Sequence, residues 1–296
     1  MEIVFLGTGP TGGIQATGRS RRFESSALIK TSLVNVLIDV TRDFKKQKKL
    51  LTKRLGAVLL THGHRDAIGG LNDFILWQIR QGGVVPLLSH HQTIDRIKKL
   101  YKLPRTKSPQ FSPFKFTRNK KTLAKIYTNP AEVCNHLSVE PCFKKAGFSC
   151  DYKKCLNLLD LHPVDPFKKF QLGDLIITPF EVAHSIQPGF PTLGFHFSLN
   201  GQKLAYISDV SGWDKSAEKL MKGADVLVID GAMWGKKMIA HLDIKEILPK
   251  IYSWPVKKII FTQIGHTAPK HEILQEEIKK ICPKALPAYD GMKLKI

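Results

Sequence analysis

The chain has 296 residues, is 43% hydrophobic and carries a formal net charge of +21. That apolar share can fill one large core or two modest ones. No apolar run reaches the ~18 residues of a membrane-spanning helix, which excludes a helical membrane protein. The charge favours anionic partners, either phosphate esters or nucleic acid. The lysines are dispersed, so a solvated basic surface fits as well. The densest basic stretch, Lys45-Lys46-Gln47-Lys48-Lys49 and on to Lys53-Arg54, reads as the wet face of one helix. Five Cys in a chain of this length do not form a secreted disulfide scaffold. Residues 1–9 read as a strand entering a glycine turn, not as a basic leader with an apolar stretch, and a cytoplasmic location is expected.

In chain order, alternation and β-branched content predict strands at Ile3–Leu6, Ser26–Lys30, Val34–Asp39 and Ala57–Leu60, and one at 84–88. Helices are predicted over Arg42–Leu51 and Leu71–Arg80, with a basic helix over Gln92–Tyr101. Residues of about 103–168 lose periodicity and gain Pro, Lys and Cys, and read as an insertion in a single domain spanning 1–296. Strands resume at Ile176–Val182, Thr192–Leu199, Lys203–Ile207, Val226–Ile229 and Lys258–Phe261. Between and after them come helices over Ser216–Lys222, Asp243–Tyr252 and His271–Cys282. Strand-rich halves with flanking helices predict an α/β fold, an αββα sandwich of two facing mixed sheets with outer helices.

The chemistry-bearing residues sit where apolar runs stop. Thr61-His62-Gly63-His64-Arg65-Asp66-Ala67 follows the Ala57–Leu60 run and places two His at i and i+2, with a carboxylate two further on. His184 follows the 176–182 strand and Asp209 ends the 203–207 strand. A catalytic zinc-type site needs several N/O ligands on rigid strand ends with one position open, and His62, His64, His184 and Asp209 supply that set. Any one strand-end His is more often a structural residue; four such residues together point to a metal site.

These motifs resemble the metallo-β-lactamase-fold hydrolase superfamily. Asp39, in Val36-Leu37-Ile38-Asp39, matches its first motif as an acidic prop for the metal loop, residues 62–66 the second, His184 the third and Asp209 the fourth. The stretches 228–234, 241–244 and 288–292 resemble the PhnP-type phosphodiesterases and PqqB. The resemblance implies zinc, with manganese an alternative, and a small or cyclic phosphate ester as substrate. It leaves open a nuclease acting on RNA or DNA, a PqqB-like accessory protein, and a homodimer.

Two departures from the pattern stand out. Positions that carry second-metal histidines in the family hold Ala67 and Gln263 here. One firmly bound catalytic ion is therefore expected. A second site would have to draw on Asp66, Asp209 and His266, the last after a loop shift. Asp66, freed from a second metal, becomes the candidate general base, and His241 the candidate acid that protonates the leaving alkoxide. Gly7, Thr8 and Gly9, with Arg19, Arg21 and Arg22, are candidate donors to the developing charge. Cys134, Cys142, Cys150 and Cys155 lie within 22 residues in a C-x7-C-x7-C-x4-C spacing beside His136. That arrangement fits a structural zinc or free thiols, and it lacks the paired spacing of a strong zinc motif. The glycine-rich 12–25 segment, where PhnP-like proteins carry a zinc loop, has no Cys. Cys282 reads as a helix-packing residue.

Overall fold

A computed structural model describes residues 1–51, 55–81, 84–101, 159–184 and 190–296. The first sheet holds β1 (Glu2–Gly7), β2 (Ser26–Lys30), β3 (Asn35–Ile38), β4 (Ala57–Leu59), β5 (Pro86–Ser89), β6 (Asp160–Pro163) and β14 (Lys293–Lys295), in the order β14-β1-β2-β3-β4-β5-β6. The second holds β7 (Phe170–Leu172), β8 (Leu175–Val182), β9 (Thr192–Leu199), β10 (Gln202–Ile207), β11 (Val226–Asp230), β12 (Lys258–Thr262) and β13 (Ala285–Pro287), in the order β13-β12-β11-β10-β9-β8-β7. Each sheet is antiparallel on one side and parallel on the other, with the switch at β3/β4 and at β10/β11.

The helices are α1 (Phe44–Gln47), α2 (Arg65–Ile68), α3 (Leu71–Gln81), α4 (His91–Leu100), α5 (Lys215–Lys222), α6 (Ile244–Ile251) and α7 (His271–Ile281). The period-2 alternation of the strands builds three apolar layers. Ile3, Phe5, Ile29 and Val36 face Phe195, Phe197, Tyr206 and Val228 between the sheets. Val4, Leu6, Leu28 and Leu37 face outward onto Phe44, Phe74, Trp77, Ile94 and Ile97 of α1, α3 and α4. On the far side Ala205, Ile207, Leu227 and Ile229 meet Met221, Leu248, Leu274 and Ile278 of α5, α6 and α7. This is the predicted αββα sandwich.

The predicted strands and helices occur with their ends shifted by a residue or two, apart from the 42–51 helix, of which Phe44–Gln47 is α-helical and Lys48–Leu50 a 3-10 turn. Four short strands had no sequence signal: β6, β7, β13 and β14. β6 pairs in parallel with β5, so Asp160–Pro163, within the span expected as an insertion, belong to the first sheet. The four clustered cysteines lie outside the described residues. Cys282 is buried against the α7 side of the second sheet. Among the described residues no helix is long and apolar enough to cross a membrane.

The chain ends are tied to the site end of the first sheet through a buried arginine. Arg22 donates to the Thr8 hydroxyl at 2.8 Å and to the Ala288 carbonyl at 2.6 Å, and lies 3.2 Å from His271 Nδ1. Thr8 in turn donates to Asp290 at 2.9 Å. Burial lowers Arg22 to about 10, against the pull of Asp290 and Glu272. Arg22→Met would leave the Ala288 carbonyl without this donor and the Asp290 charge without its counter-ion. It is expected to lower the unfolding free energy by about 3 kcal/mol, read as a fall in the denaturant midpoint at unchanged slope.

Candidate metal centre

Every candidate ligand sits where a strand ends at one edge of the sandwich, the position at which α/β folds build their sites. Thr61 to His64 leave β4 and run into the single turn α2, with His64 in extended conformation at its start. His184 follows β8, and Asp209 follows β10. The structure brings these residues together. His62, His64 and His184 offer nitrogen atoms within 4.8 Å of one another, and the trios His62/Asp66/Asp209 and His184/Asp209/His241 meet the same limit. The ring centroids of His62, His64 and His184 are 4.7 to 5.4 Å apart.

Hydrogen bonds fix which nitrogen each histidine presents. The Thr61 hydroxyl gives its one proton to Asp39 at 2.8 Å and lies 2.9 Å from His62 Nδ1. It can therefore only accept from that nitrogen, which leaves His62 Nε2 facing the cluster. Asp39, held at φ 61°, also accepts the Thr61 backbone N–H at 2.7 Å. His184 Nδ1 donates to the Ala240 carbonyl at 2.8 Å, again freeing Nε2. His241 Nδ1 lies 2.7 Å from Asp230 Oδ2. Asp230 is itself anchored by the backbone N–H groups of Ala232 at 2.7 Å and Val210 at 3.0 Å.

The electrostatics follow from burial and close charges. Burial, then the neighbouring His62 and His184, hold His64 down to about 4, so its lone pair is free. Burial also lowers His184. Burial opposes charge on His62 as well, but Asp66, Asp209 and Asp39 outweigh it and lift His62 to about 9. Burial likewise opposes charge on His241, and the bond to Asp230 outweighs it, lifting His241 to about 9. Burial raises Asp39 to about 8 against the pull of His62 and Thr61. Burial would raise Asp66 too, but His62 and the Thr11 hydroxyl, 2.5 Å from Oδ2, hold it below the usual carboxylate range.

A cation fits this donor set. His62 Nε2 and Asp66 Oδ1 are buried, 3.5 Å apart, and neither has a hydrogen-bond partner. Buried polar atoms are nearly always paired, and three imidazoles with a carboxylate form a zinc-type set. His62 and His184 each have one nitrogen left, and Gln263 Nε2 donates to Asp209 Oδ1 at 2.7 Å. Beyond the His62/His64/His184 trio, His241 is the one remaining imidazole in the clusters.

His266 is not part of this centre. It is exposed and joins none of the clusters. The register after β12 is pinned: Gln263 sits at φ 57° with its side chain buried, and the Ile264 N–H bonds the Thr8 carbonyl at 2.8 Å. A Cβ on Gly265 would meet the Ala232 carbonyl at 2.1 Å. The loop shift that would bring His266 inward has no room. Ala67, the other departure, is buried in the first core.

The expected anion donors are engaged elsewhere. Arg22 is buried in its own network. Arg19 lies over Tyr289 at 4.4 Å and Arg21 over Phe23 at 5.2 Å. The Gly9 N–H is bonded to the Phe23 carbonyl at 2.7 Å. Sequence reasoning missed Asp230, Thr11 and Phe190, whose ring stacks on His64 with centroids 4.7 Å apart. Asp230 did carry a signal, since it ends an apolar strand as Asp39 and Asp209 do. Thr11 and Phe190 carried none.

Asp39→Asn keeps size and tolerance for positive φ but turns an amide N–H towards one of the two Thr61 donors. Loss of such an outer prop costs about 10–100-fold in metal affinity, which zinc titration calorimetry should read. The apo protein should lose about 1–3 kcal/mol of stability from the unmade buried bond.

The model of the beta-lactamase superfamily domain matches residues 112–264, just over half of the sequence. The chain belongs to the metallo-β-lactamase superfamily. A solved diphosphatase of the PhnP family is similar over 100% of this chain and 97% of that one, with a TM-score of 0.70 and 21% identity. Zinc-bound PqqB of Methylobacterium extorquens is similar over 100% of both chains, with a TM-score of 0.71 and 15% identity. At these identities the likeness shows the superfamily's fold. An octanoyltransferase of Porphyromonas gingivalis (strain ATCC BAA-308 / W83) is 24% identical over 99% of this chain. The match spans about half of that relative, 51% of its length.

Proposed function

We propose that this superfamily member is a metal-dependent phosphodiesterase acting on a small or cyclic phosphate ester. The observation that carries the reading is the three-imidazole cluster flanked by Asp66 on one side and by His241, braced on Asp230, on the other. His62, His64, His184 and Asp209 would hold zinc, with manganese an alternative. Bound there, the ion would polarise a phosphoryl oxygen and acidify a water to near-neutral pKa.

The chain's own residues do the rest. Asp66 Oδ1 has no partner, while Oδ2 is fixed by Thr11. Its free oxygen is placed to take the proton of an attacking water. His241 keeps Nδ1 on Asp230, which leaves Nε2 to protonate the departing ester oxygen. Gln263 holds Asp209 in one orientation through its amide. The likeness to a PhnP-family diphosphatase supports a phosphorus ester as substrate class. The octanoyltransferase name stays with a protein of which this chain matches half.

Purified protein supplied with Zn²⁺ or Mn²⁺ should hydrolyse bis-p-nitrophenyl phosphate, and chelator treatment should stop it. A metal-loaded protein without activity would remove the reading. The net charge of +21 supports a second reading, a nuclease. Nucleic-acid binding that weakens steeply with salt would favour it, and salt-independent or absent binding would dismiss it.

A further inference from the structure

α5 and α6 enclose an open groove of about 530 Å³, and none of the candidate metal ligands lines it. That volume falls in the range of roughly 300–1,000 Å³ typical of small-molecule sites, which pair apolar walls with a few polar groups. Ile247, Ile251 and Trp254 line it as buried side chains, and Trp213 as a half-buried one. The two indoles meet edge to face, with ring centroids 5.9 Å apart and planes at 73°. The Trp213 N–H donates to Glu218 at 3.2 Å, which fixes that ring against α5. Two indoles set near a right angle make a corner with a π face on one wall and a ring edge on the other. A third aromatic ring entering the corner answers both, and an alkyl chain answers neither.

The charges at the rim say which polar group such a ring carries. The carboxylates that line this groove and its neighbour are all engaged. Glu218 holds Lys222 at 2.5 Å, and Lys222 lies over the Trp254 ring at 5.2 Å. An adjoining groove of about 220 Å³ shares Ile247 and Lys250 with the first and reaches His241. In it Glu246 holds Lys237 at 3.2 Å, and Asp243 accepts the backbone N–H groups of Gly235 and Lys245. Lys250 is exposed, and among the described residues it pairs with no carboxylate. It is the cation left over at the mouth of an aromatic corner.

We propose that the α5/α6 groove binds a flat aromatic anion, with its ring in the Trp213–Trp254 corner and its charge on Lys250. The site stands beside the metal centre and outside it, so its test needs no catalysis. 8-Anilinonaphthalene-1-sulfonate carries the required chemistry, and N-phenyl-1-naphthylamine is the same ring system without the charge. Titrated into the metal-free protein, the anionic dye should bind saturably with a Kd of about 0.1 mM or tighter, the scale for a ligand of its size. Lys250→Gln should weaken the anionic dye about fivefold, as for one exposed charge pair, and leave the uncharged dye unchanged. Trp213→Leu should weaken both dyes about tenfold. Lys250 is exposed, so its variant remains readable if Trp213→Leu proves unstable.

Absence of saturable binding, or a Lys250→Gln effect equal for the two dyes, overturns the proposal. So does an anionic dye that competes with bis-p-nitrophenyl phosphate in the zinc-loaded protein and whose affinity Trp213→Leu leaves unchanged, because that dye occupies the metal centre. Displacement then separates the sources of the ligand. Indole-3-acetate displacing the dye at the lower concentration assigns a carboxylate, and adenosine 5′-monophosphate doing so assigns a phosphate. Displacement by neither at about 10 mM, well above the Kd scale for compounds of that size, overturns it.

Discussion

His64→Ala is expected to abolish metal-dependent phosphodiester hydrolysis while leaving the fold in place. His64 lies at the start of α2, half-buried, and packs against Phe190 and the other two histidines rather than into an apolar layer. Removing it cuts the set of four that would hold the ion to two imidazoles and a carboxylate, and takes away the donor on the α2 side. Transition-state stabilisation by a bound ion is worth several kcal/mol, so the loss should be about 10³-fold or more in kcat/KM. Metal content by elemental analysis should fall with it, and the circular dichroism spectrum should not change. Activity and metal content that both survive would sink the ligand assignment.

The second large effect concerns His241. Its Nδ1 is bound to a buried, doubly anchored carboxylate, so the ring has one orientation and one free nitrogen. His241→Gln keeps a polar side chain but removes the transferable proton. Loss of a general acid costs about 10²–10⁴-fold. The loss should depend on the leaving group. An alkyl ester, whose alkoxide needs the proton, should suffer most, and a p-nitrophenyl ester, whose phenolate leaves unaided, should suffer least. A loss equal for both esters would make His241 a structural residue. A loss of zinc alongside it would make His241 a ligand through the His184/Asp209/His241 trio.

Much of the candidate centre was legible in the sequence because candidate ligands at strand ends follow apolar runs. The Ala57–Leu60, Ile176–Val182 and Lys203–Ile207 runs each lead into one, and the structure places His62, His64, His184 and Asp209 together. The four strands that were not legible are three or four residues long. β7, β13 and β14 lie at sheet edges and β6 at the far end of the first sheet. Pieces that short complete no alternation pattern, and neighbouring strands decide their pairing. His266 misled for a related reason. Spacing along the chain put it three residues from Gln263, but the register of the loop is set by contacts from β1 and from Ala232, far away in sequence. Phe190 belongs to the same class, since only the folded chain stacks it on His64.

The departures at Ala67 and Gln263 have acquired a physical meaning. Gln263 donates to Asp209 Oδ1, so an amide hydrogen occupies one of that carboxylate's two oxygens where the family pattern has a histidine. Its own Oε1 is buried without a partner. Ala67 offers no ligand atom at all and packs into the first core. These two residues are the ground for the proposed single ion.

The most direct test is a titration of the metal-free protein with Zn²⁺ in which bound metal and the rate of bis-p-nitrophenyl phosphate hydrolysis are read on the same samples. The account predicts that the rate rises in proportion to bound zinc and levels off at one ion per chain. A rate that stays at background with one ion bound, or that appears only as a second ion fills, would contradict it.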